Sequence, residues 1–352
     1  MAPTSAAQPR ITMQRIAQEA GVSTATVSRV LNNHPKIDAD TRSRVIAIAD
    51  QLGYKGASAP RANLSMALSV ILDRPGQTPA EGDVLGDDYG SFLHIQRMIV
   101  SIEQATQAQG YQLMLISMAT LQRELPPAIQ QRGVDGAIVI GGYFPEKLIA
   151  EVAQAVPTVI AGGALPSSAA HAVHMNYQRS AAEVVDHLVG LGHRRIALLN
   201  GPRSSLTSAE KLGGYCQRCA YHGLELDSSL IIYADSFDIR DGYAATEQLF
   251  RQGSFTALVG ATDVLCQGAL QVAHTRGLEL PRDLSLVSLY NSGQSLMWPS
   301  LQPLTGVRAP HELVGQLAVE RLLAQIAQPS APMETVVPAE LRLGASSGPA
   351  PA

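Results

Sequence analysis

The chain has 352 residues, 46% hydrophobic and 16% charged, with a net charge of −4. That length exceeds one ordinary domain, and that much apolar material excludes bulk disorder and predicts two or three compact folding units. Apolar runs stop well short of the roughly 18 residues that cross a bilayer, and the first nine residues lack the apolar centre of a signal peptide, so a soluble cytoplasmic protein is expected.

After residues 1–9, the stretch from Thr12 to Gly21 predicts a helix with Ile11, Met13, Ile16, Ala17 and Ala20 on its inner face. Gly21 ends it, Ser23 offers an N-cap hydroxyl to a second helix through Leu31, and Asn32 and Asn33 form the exit. A third helix, capped by Asp38 and stopped by Gly53, closes a small core. Two short helices around a tight glycine turn make a helix-turn-helix, so residues 10–56 read as a DNA-binding headpiece. Charge agrees: Arg10, Arg15, Arg29, Lys36, Arg42, Arg44 and Lys55 stand against Glu19, Asp38, Asp40 and Asp50, which leaves this end at +3 and the remainder at −7.

Residues 57–66 turn to small residues plus Pro60, which marks a linker. Beyond it, short apolar strands alternate with amphipathic helices. Strands are expected at 67–72, 112–116, 136–140, 158–161, 195–200, 257–260 and 284–289, and helices at 92–109, 146–155, 180–191, 209–222, 242–252 and 263–276. Repeated βα units imply parallel sheets covered on both faces, here two Rossmann-like lobes with a ligand crevice outside the strand C-termini.

The string ITMQRIAQEAGVSTATVSRVLNNHPKIDADTRSRVIAIADQLGY, Ile11 to Tyr54, resembles the headpiece of the lactose-repressor (LacI/GalR) family. The segments DHLVGLGHRRIALLNG, GGY, ATDVLCQGAL, ELPRDLSLVS and PLTGVRAP resemble that family's sensing core in order. The resemblance implies a helix-turn-helix headpiece on a periplasmic-binding-protein-like α/β core. Its first lobe would take residues 67–175 and 305–328, and its second 176–304 and 329–345. It also implies a homodimer, with a tetramer as the larger alternative, that binds a pseudo-palindromic operator in double-stranded DNA and answers to a small metabolite, a sugar or sugar derivative.

On this resemblance Thr24, Ala25 and Arg29 are the base-reading positions, and physics agrees, because a recognition helix presents its N-terminal residues to base edges in the major groove. Arg29 can donate two hydrogen bonds to a guanine, and Ala25 or the Thr24 methyl can touch a thymine methyl. Ser23, Thr26, Ser28, Asn32 and Thr41 resemble phosphate clamps, and the alternative is that their polar groups only cap and solvate helices. Gly56 and Pro60 depart from the family's hinge helix. A helix capped by Ser58, with Arg61 and Leu64 turned to the minor groove, remains open because Pro is tolerated in a first turn.

For the effector, the resemblance puts Lys211 where the family has an Arg, Tyr290 where it has an Asp, Phe237 where an aromatic ring stacks on the sugar, and Asp263 in its Asn-Asp pair, with Thr262 replacing the Asn. Asp73, after the first strand, is a further cleft candidate. Keeping a cation while losing a carboxylate favours an anionic ligand such as a sugar acid or sugar phosphate. The open alternative has Lys211 in solvent and Tyr290 packing between the lobes.

Cys216, Cys219 and His222 lie three apart on one helical face, which offers three metal ligands at most, so packing cysteines are expected rather than zinc. Cys266 makes three cysteines in all, too few for a disulfide framework, and reduced thiols are the default. The pairs Gly141-Gly142, Gly162-Gly163 and Gly213-Gly214 are not a GxGxxG phosphate loop, so no nucleotide cofactor is expected. Two rival functions remain: an enzyme on a doubly wound fold, for which no nucleophile, base and orienter emerge, and a regulator whose core only dimerises.

Overall fold

The computed structural model describes residues 12–31, 37–52, 65–71, 89–118, 125–130, 133–140, 146–163, 170–293 and 303–351. The chain divides between residues 64 and 65 into a headpiece and a core. In the headpiece, α1 (Met13–Ala20), α2 (Thr24–Leu31) and α3 (Ala39–Gln51) enclose Ile16, Ala17, Ala20, Val27, Val30, Val45 and Ala49. Their three- and four-residue spacing sets one apolar stripe on each helix. Gly21 takes the left-handed φ of 63° that ends α1, and Val22 N–H returns to the Ala17 carbonyl at 3.0 Å, a turn that a side-chain-bearing residue would strain.

The core begins with β1 (Ser65–Ile71), α4 (Tyr89–Ala108), β2 (Gln112–Met118), α5 (Pro127–Gln130), β3 (Gly136–Ile140), α6 (Glu146–Ala155), β4 (Thr158–Ala161) and β5 (His171–Met175). It continues through α7 (Tyr177–Gly190), β6 (Ile196–Asn200), α8 (Leu206–Tyr221), β7 (Ile231–Tyr233), α9 (Ile239–Gln252), β8 (Ala257–Gly260), α10 (Asp263–Thr275), β9 (Ser285–Asn291) and β10 (Thr305–Arg308). It ends with α11 (His311–Ala327), β11 (Glu334–Val337) and β12 (Glu340–Arg342). The first lobe's sheet runs β11-β5-β4-β3-β1-β2 and the second's β12-β10-β9-β8-β6-β7. Every described pairing is parallel except β10 with β12, so the strands read as the near-continuous apolar runs of doubly covered sheets.

The structure corrects the lobe assignment of the last segments. Thr305–Arg308, expected in the first lobe, is a strand of the second sheet, parallel to β9 with Thr305 opposite Val287. The chain crosses over only after Arg308, because α11 buries Val314, Ala318, Val319 and Leu322 against Ile138, Val159 and Val173 of the first lobe. Glu334–Val337, expected in the second lobe, pairs with β5 in the first, and β12 then returns to β10.

Within the second lobe α9 and α10 approach closely through two glycines. A Cβ at Gly242 would sit 2.6 Å from the Leu265 carbonyl oxygen, and one at Gly268 would overlap the backbone of Ile239 and Tyr243. Among the described residues, no helix is long and apolar enough to cross a membrane.

Candidate functional site

In the headpiece, Thr24, Ala25 and Arg29 are exposed on α2, while Val27 and Val30 on its opposite side are buried. Ser23 caps this helix: its Oγ accepts from Thr26 N–H at 3.0 Å and lies 2.9 Å from the Thr26 hydroxyl. Asp38 does the same for α3, accepting from Thr41 N–H at 2.8 Å, and that bond holds its carboxyl below the usual range. Ser23 and Thr26 thus engage each other locally, and the Thr41 backbone is engaged by the cap. Thr26, Ser28 and Thr41 are half-buried. Asn32, Arg61, Leu64 and Asp73 lie outside the described residues.

The four remaining effector candidates come from the C-terminal ends of four parallel strands of the second lobe. Lys211 is on α8, after β6; Phe237 follows β7; Asp263 opens α10, after β8; Tyr290 ends β9. In a doubly wound sheet the crevice at those strand ends is where ligands bind. Lys211 does not reach into solvent: it is 2% exposed. Its Nζ lies 5.1 Å from the ring centroid of Tyr177, 5.3 Å from that of Phe237 and 5.8 Å from that of Tyr290. A buried ammonium among ring faces is partly repaid by their quadrupoles. Burial outweighs this and the nearby charges of Glu210 and Asp263, and it brings the amine down to about 7.

Asp263 is buried and accepts from Ser292 N–H at 2.8 Å, from the Ser292 hydroxyl and from Val264 N–H at 3.1 Å, yet burial still raises its carboxyl above the ordinary value. Thr262 caps α10, its hydroxyl oxygen accepting from Leu265 N–H at 3.3 Å. Gly201 makes room for Phe237, since a Cβ there would overlap the phenyl ring.

Two residues absent from the sequence reading complete the cluster. Tyr177, the first residue of α7, stacks on Tyr290 at 6.3 Å and donates its phenol to the Gly162 carbonyl of the first lobe at 2.6 Å. His311, the first residue of α11, stands edge-on to Tyr290, with its Nδ1 3.1 Å from the Tyr290 phenol. Burial and the charges of Arg97 and Arg308 push His311 down to about 4, so it is neutral at pH 7. Tyr290 therefore faces Lys211 and also packs between the lobes. The space left there, between Tyr177, Tyr290, His311 and Met98, is about 10 Å³, room for one water molecule. The aromatic character of position 177, directly after the Asn176 helix cap, was the available sequence signal.

Cys219 is buried, which raises its thiol to about 11, and His222 Nε2 is 2.6 Å from Asp186, which also takes Arg218. Among the described residues, no group of His, Cys, Asp and Glu is arranged to hold a metal ion.

A family model described as "Bacterial regulatory proteins, lacI family" matches residues 12–56, and one described as "Periplasmic binding protein-like domain" matches residues 185–347. The chain is 32% identical to the HTH-type transcriptional regulator MalR of Streptomyces coelicolor, with 96% of each chain covered. It belongs to the LacI family. It is therefore a DNA-binding transcription regulator, and its relatives are regulators rather than enzymes. Solved structures share the fold. A lac repressor dimer bound to operator superposes with TM-score 0.66 at 22% identity over 97% of this chain and 100% of the other. A CelR–cellobiose complex does so with TM-score 0.64 at 24% identity over 96% and 100%.

Proposed function

We propose that this LacI-family regulator is a repressor that binds a pseudo-palindromic operator as a homodimer, and that a sugar or sugar derivative held between its lobes controls that binding. The observation that carries the effector half is the convergence of Lys211, Phe237, Asp263 and Tyr290 from four strand ends. Thr24, Ala25 and Arg29 read bases, and Ser28, Asn32 and Thr41 steady the headpiece on phosphates. Ser23 and Thr26 cap first and touch phosphate second. Arg61 and Leu64 would serve the minor groove, and Asp73 the rim of the cleft. The dimer forms through the first lobe and α4, since two-fold symmetry in the protein answers a palindrome. Working on DNA, it acts in the cytoplasm.

Three ring faces and the charge of Asp263 already act on the lysine, so an anionic group on the ligand is not required to complement it, and neutral carbohydrates belong in the panel. The experiment combines operator selection from random duplexes with a thermal-shift panel of sugars, sugar acids and sugar phosphates, because a ligand of the native state raises the melting temperature by mass action. A selected palindrome whose affinity shifts with a stabilising sugar supports the reading. One observation favours the rival, a core that only dimerises: two hydrogen bonds, Tyr177 to Gly162 and Tyr290 to His311, already join the lobes. A full panel without a shift decides for it. Sedimentation of the core at micromolar concentration separates dimer from tetramer, and a monomer refutes the proposed interface.

A further inference from the structure

Away from the cage, along the outer edge of the second lobe's sheet, β7 is the last strand, and an open groove of about 630 Å³ runs beside it. Arg203 and Ser204, which follow β6, form one wall, Gln248 and Gln252 of α9 the other, and Tyr233 and Asp235 lie between. Arg203 is exposed yet held in place: its guanidinium carbon sits 3.7 Å from the centroid of the Tyr233 ring, so the planar group lies against the phenol. Among the described residues no carboxylate pairs with it, although Asp235 lines the same groove. The side chains of Ser204, Gln248 and Gln252 likewise make no hydrogen bond among the described residues. The strand itself adds a donor. Ala234 N–H bonds the Asn200 carbonyl of β6 at 2.9 Å, and since successive residues of a strand face opposite ways, the Tyr233 N–H points to the open edge.

A guanidinium presents a rigid fork of donors that matches two oxygens of a carboxylate or phosphate, and one already stacked on a ring gives up little freedom when it binds them. The groove is in the size range of small-molecule sites and far larger than a bare ion needs. The amides of Gln248 and Gln252 donate and accept, which suits hydroxyl groups. We propose that this groove is a second small-molecule site, for a hydroxylated metabolite that carries a carboxylate or phosphate. Arg203 takes the anionic group, the Tyr233 N–H and the Ser204 hydroxyl support it, and the two glutamines hold the polar remainder. Asp235 repels the anion, so the site prefers a molecule whose charge sits at one end. None of these residues belongs to the lysine cage, and the site stands or falls independently of it.

The test titrates the full chain by calorimetry with citrate, with glucose 6-phosphate and with inorganic phosphate, in the parent and in Arg203→Gln, Asp235→Asn and Lys211→Met. Arg203 and Asp235 are exposed, so their variants should melt with the parent when no ligand is present. Citrate or glucose 6-phosphate should bind with a submillimolar Kd and more tightly than inorganic phosphate, and which of the two does so separates the carboxylate source from the phosphate one. That affinity should fall about tenfold in Arg203→Gln, the loss of a hydrogen bond to a charged group, rise in Asp235→Asn and hold in Lys211→Met. Binding should also slow hydrogen exchange at residues 231–235. A loss that follows Lys211, or that is equal in the Arg203 and Lys211 variants, puts the anion in the cage and overturns the proposal. So does the failure of both compounds to bind, binding no tighter than that of inorganic phosphate, or exchange at residues 231–235 that binding leaves unchanged.

Discussion

The two regions proposed to bind operator and sugar are built on opposite plans. In the headpiece, Thr24, Ala25 and Arg29 stand exposed on a helix anchored from beneath by Val27 and Val30. In the core, Lys211, Phe237, Asp263 and Tyr290 are all buried, and Phe237 and Tyr290 belong to the apolar clusters that hold the second lobe together. A face of the first kind can change its reading while the fold stays put. A cage of the second kind cannot change its ligand chemistry without changing stability.

The largest effect that would sharpen this contrast is at Lys211. Its folded value of about 7 lies below the ordinary 10.5, so between those two pH values the unfolded chain binds a proton that the folded chain does not. Stability from this group is complete above about 10.5, falls as the pH drops toward 7, and is flat below that. Lys211→Met removes the dependence and should stabilise the core by about 5 kcal/mol at most at pH 6, with the gain vanishing by about pH 10. Urea titrations at several pH values measure it. A destabilised, pH-independent variant would mean that Lys211 contributes packing rather than strain.

Next comes Gly268, where no ligand group is involved. Gly268→Ala should cost about 1 to 3 kcal/mol of core stability, because the added methyl meets backbone that cannot swing aside. Operator affinity measured below the melting transition should not change. Arg29→Ala should do the reverse, costing about 1 to 3 kcal/mol of operator affinity and relaxing preference at one base pair per half-site while thermal unfolding of the core stays put. Equal losses on every sequence would make Arg29 a phosphate contact, and a shifted core transition would break the comparison itself.

The headpiece was legible in the sequence because its determinants are local: a glycine turn, two caps and three apolar stripes within forty residues. The strands at 136–140, 158–161 and 257–260 were equally plain, being uninterrupted apolar runs. β5 was hidden because two of its five residues are the buried histidines His171 and His174, which read as polar. β7, β11 and β12 are only three or four residues long, and their partners are fixed by chain crossings that no local pattern encodes. That is also why β10 and β11 were assigned to the wrong lobes. Three of the four groups in the lysine cage could be named from sequence, but not that the lysine would be enclosed, since enclosure depends on Tyr177 arriving from another helix.

The smallest effect is the most specific to the junction between the two lobes. Tyr290 is the cage residue that reaches across to α11, and its phenol is the partner described for His311 Nδ1. Tyr290→Phe keeps the ring beside Lys211 and the apolar contacts of the second lobe, and removes one hydrogen bond, for a loss of about 1 kcal/mol. The pH dependence identifies the cause. His311 is neutral in the folded chain down to about 4, while in the unfolded chain it titrates near 6.5, so its share of stability is complete above 6.5 and is lost as the pH falls toward 4. In the tautomer in which the phenol donates to Nδ1, that bond adds to burial and to the charges of Arg97 and Arg308 in keeping the imidazole neutral, and without it the ring takes up a proton more readily. The acid-side loss should therefore be shallower in Tyr290→Phe than in the parent, and the two stability curves should converge near pH 4. If cage and lobe closure are one device, the variant should also need more sugar to reach the same thermal shift, although no group facing Lys211 has been removed except one hydroxyl. Parallel curves with an unchanged sugar response would separate the two, leaving Tyr290 a packing residue between the lobes and the cage a site that works without them.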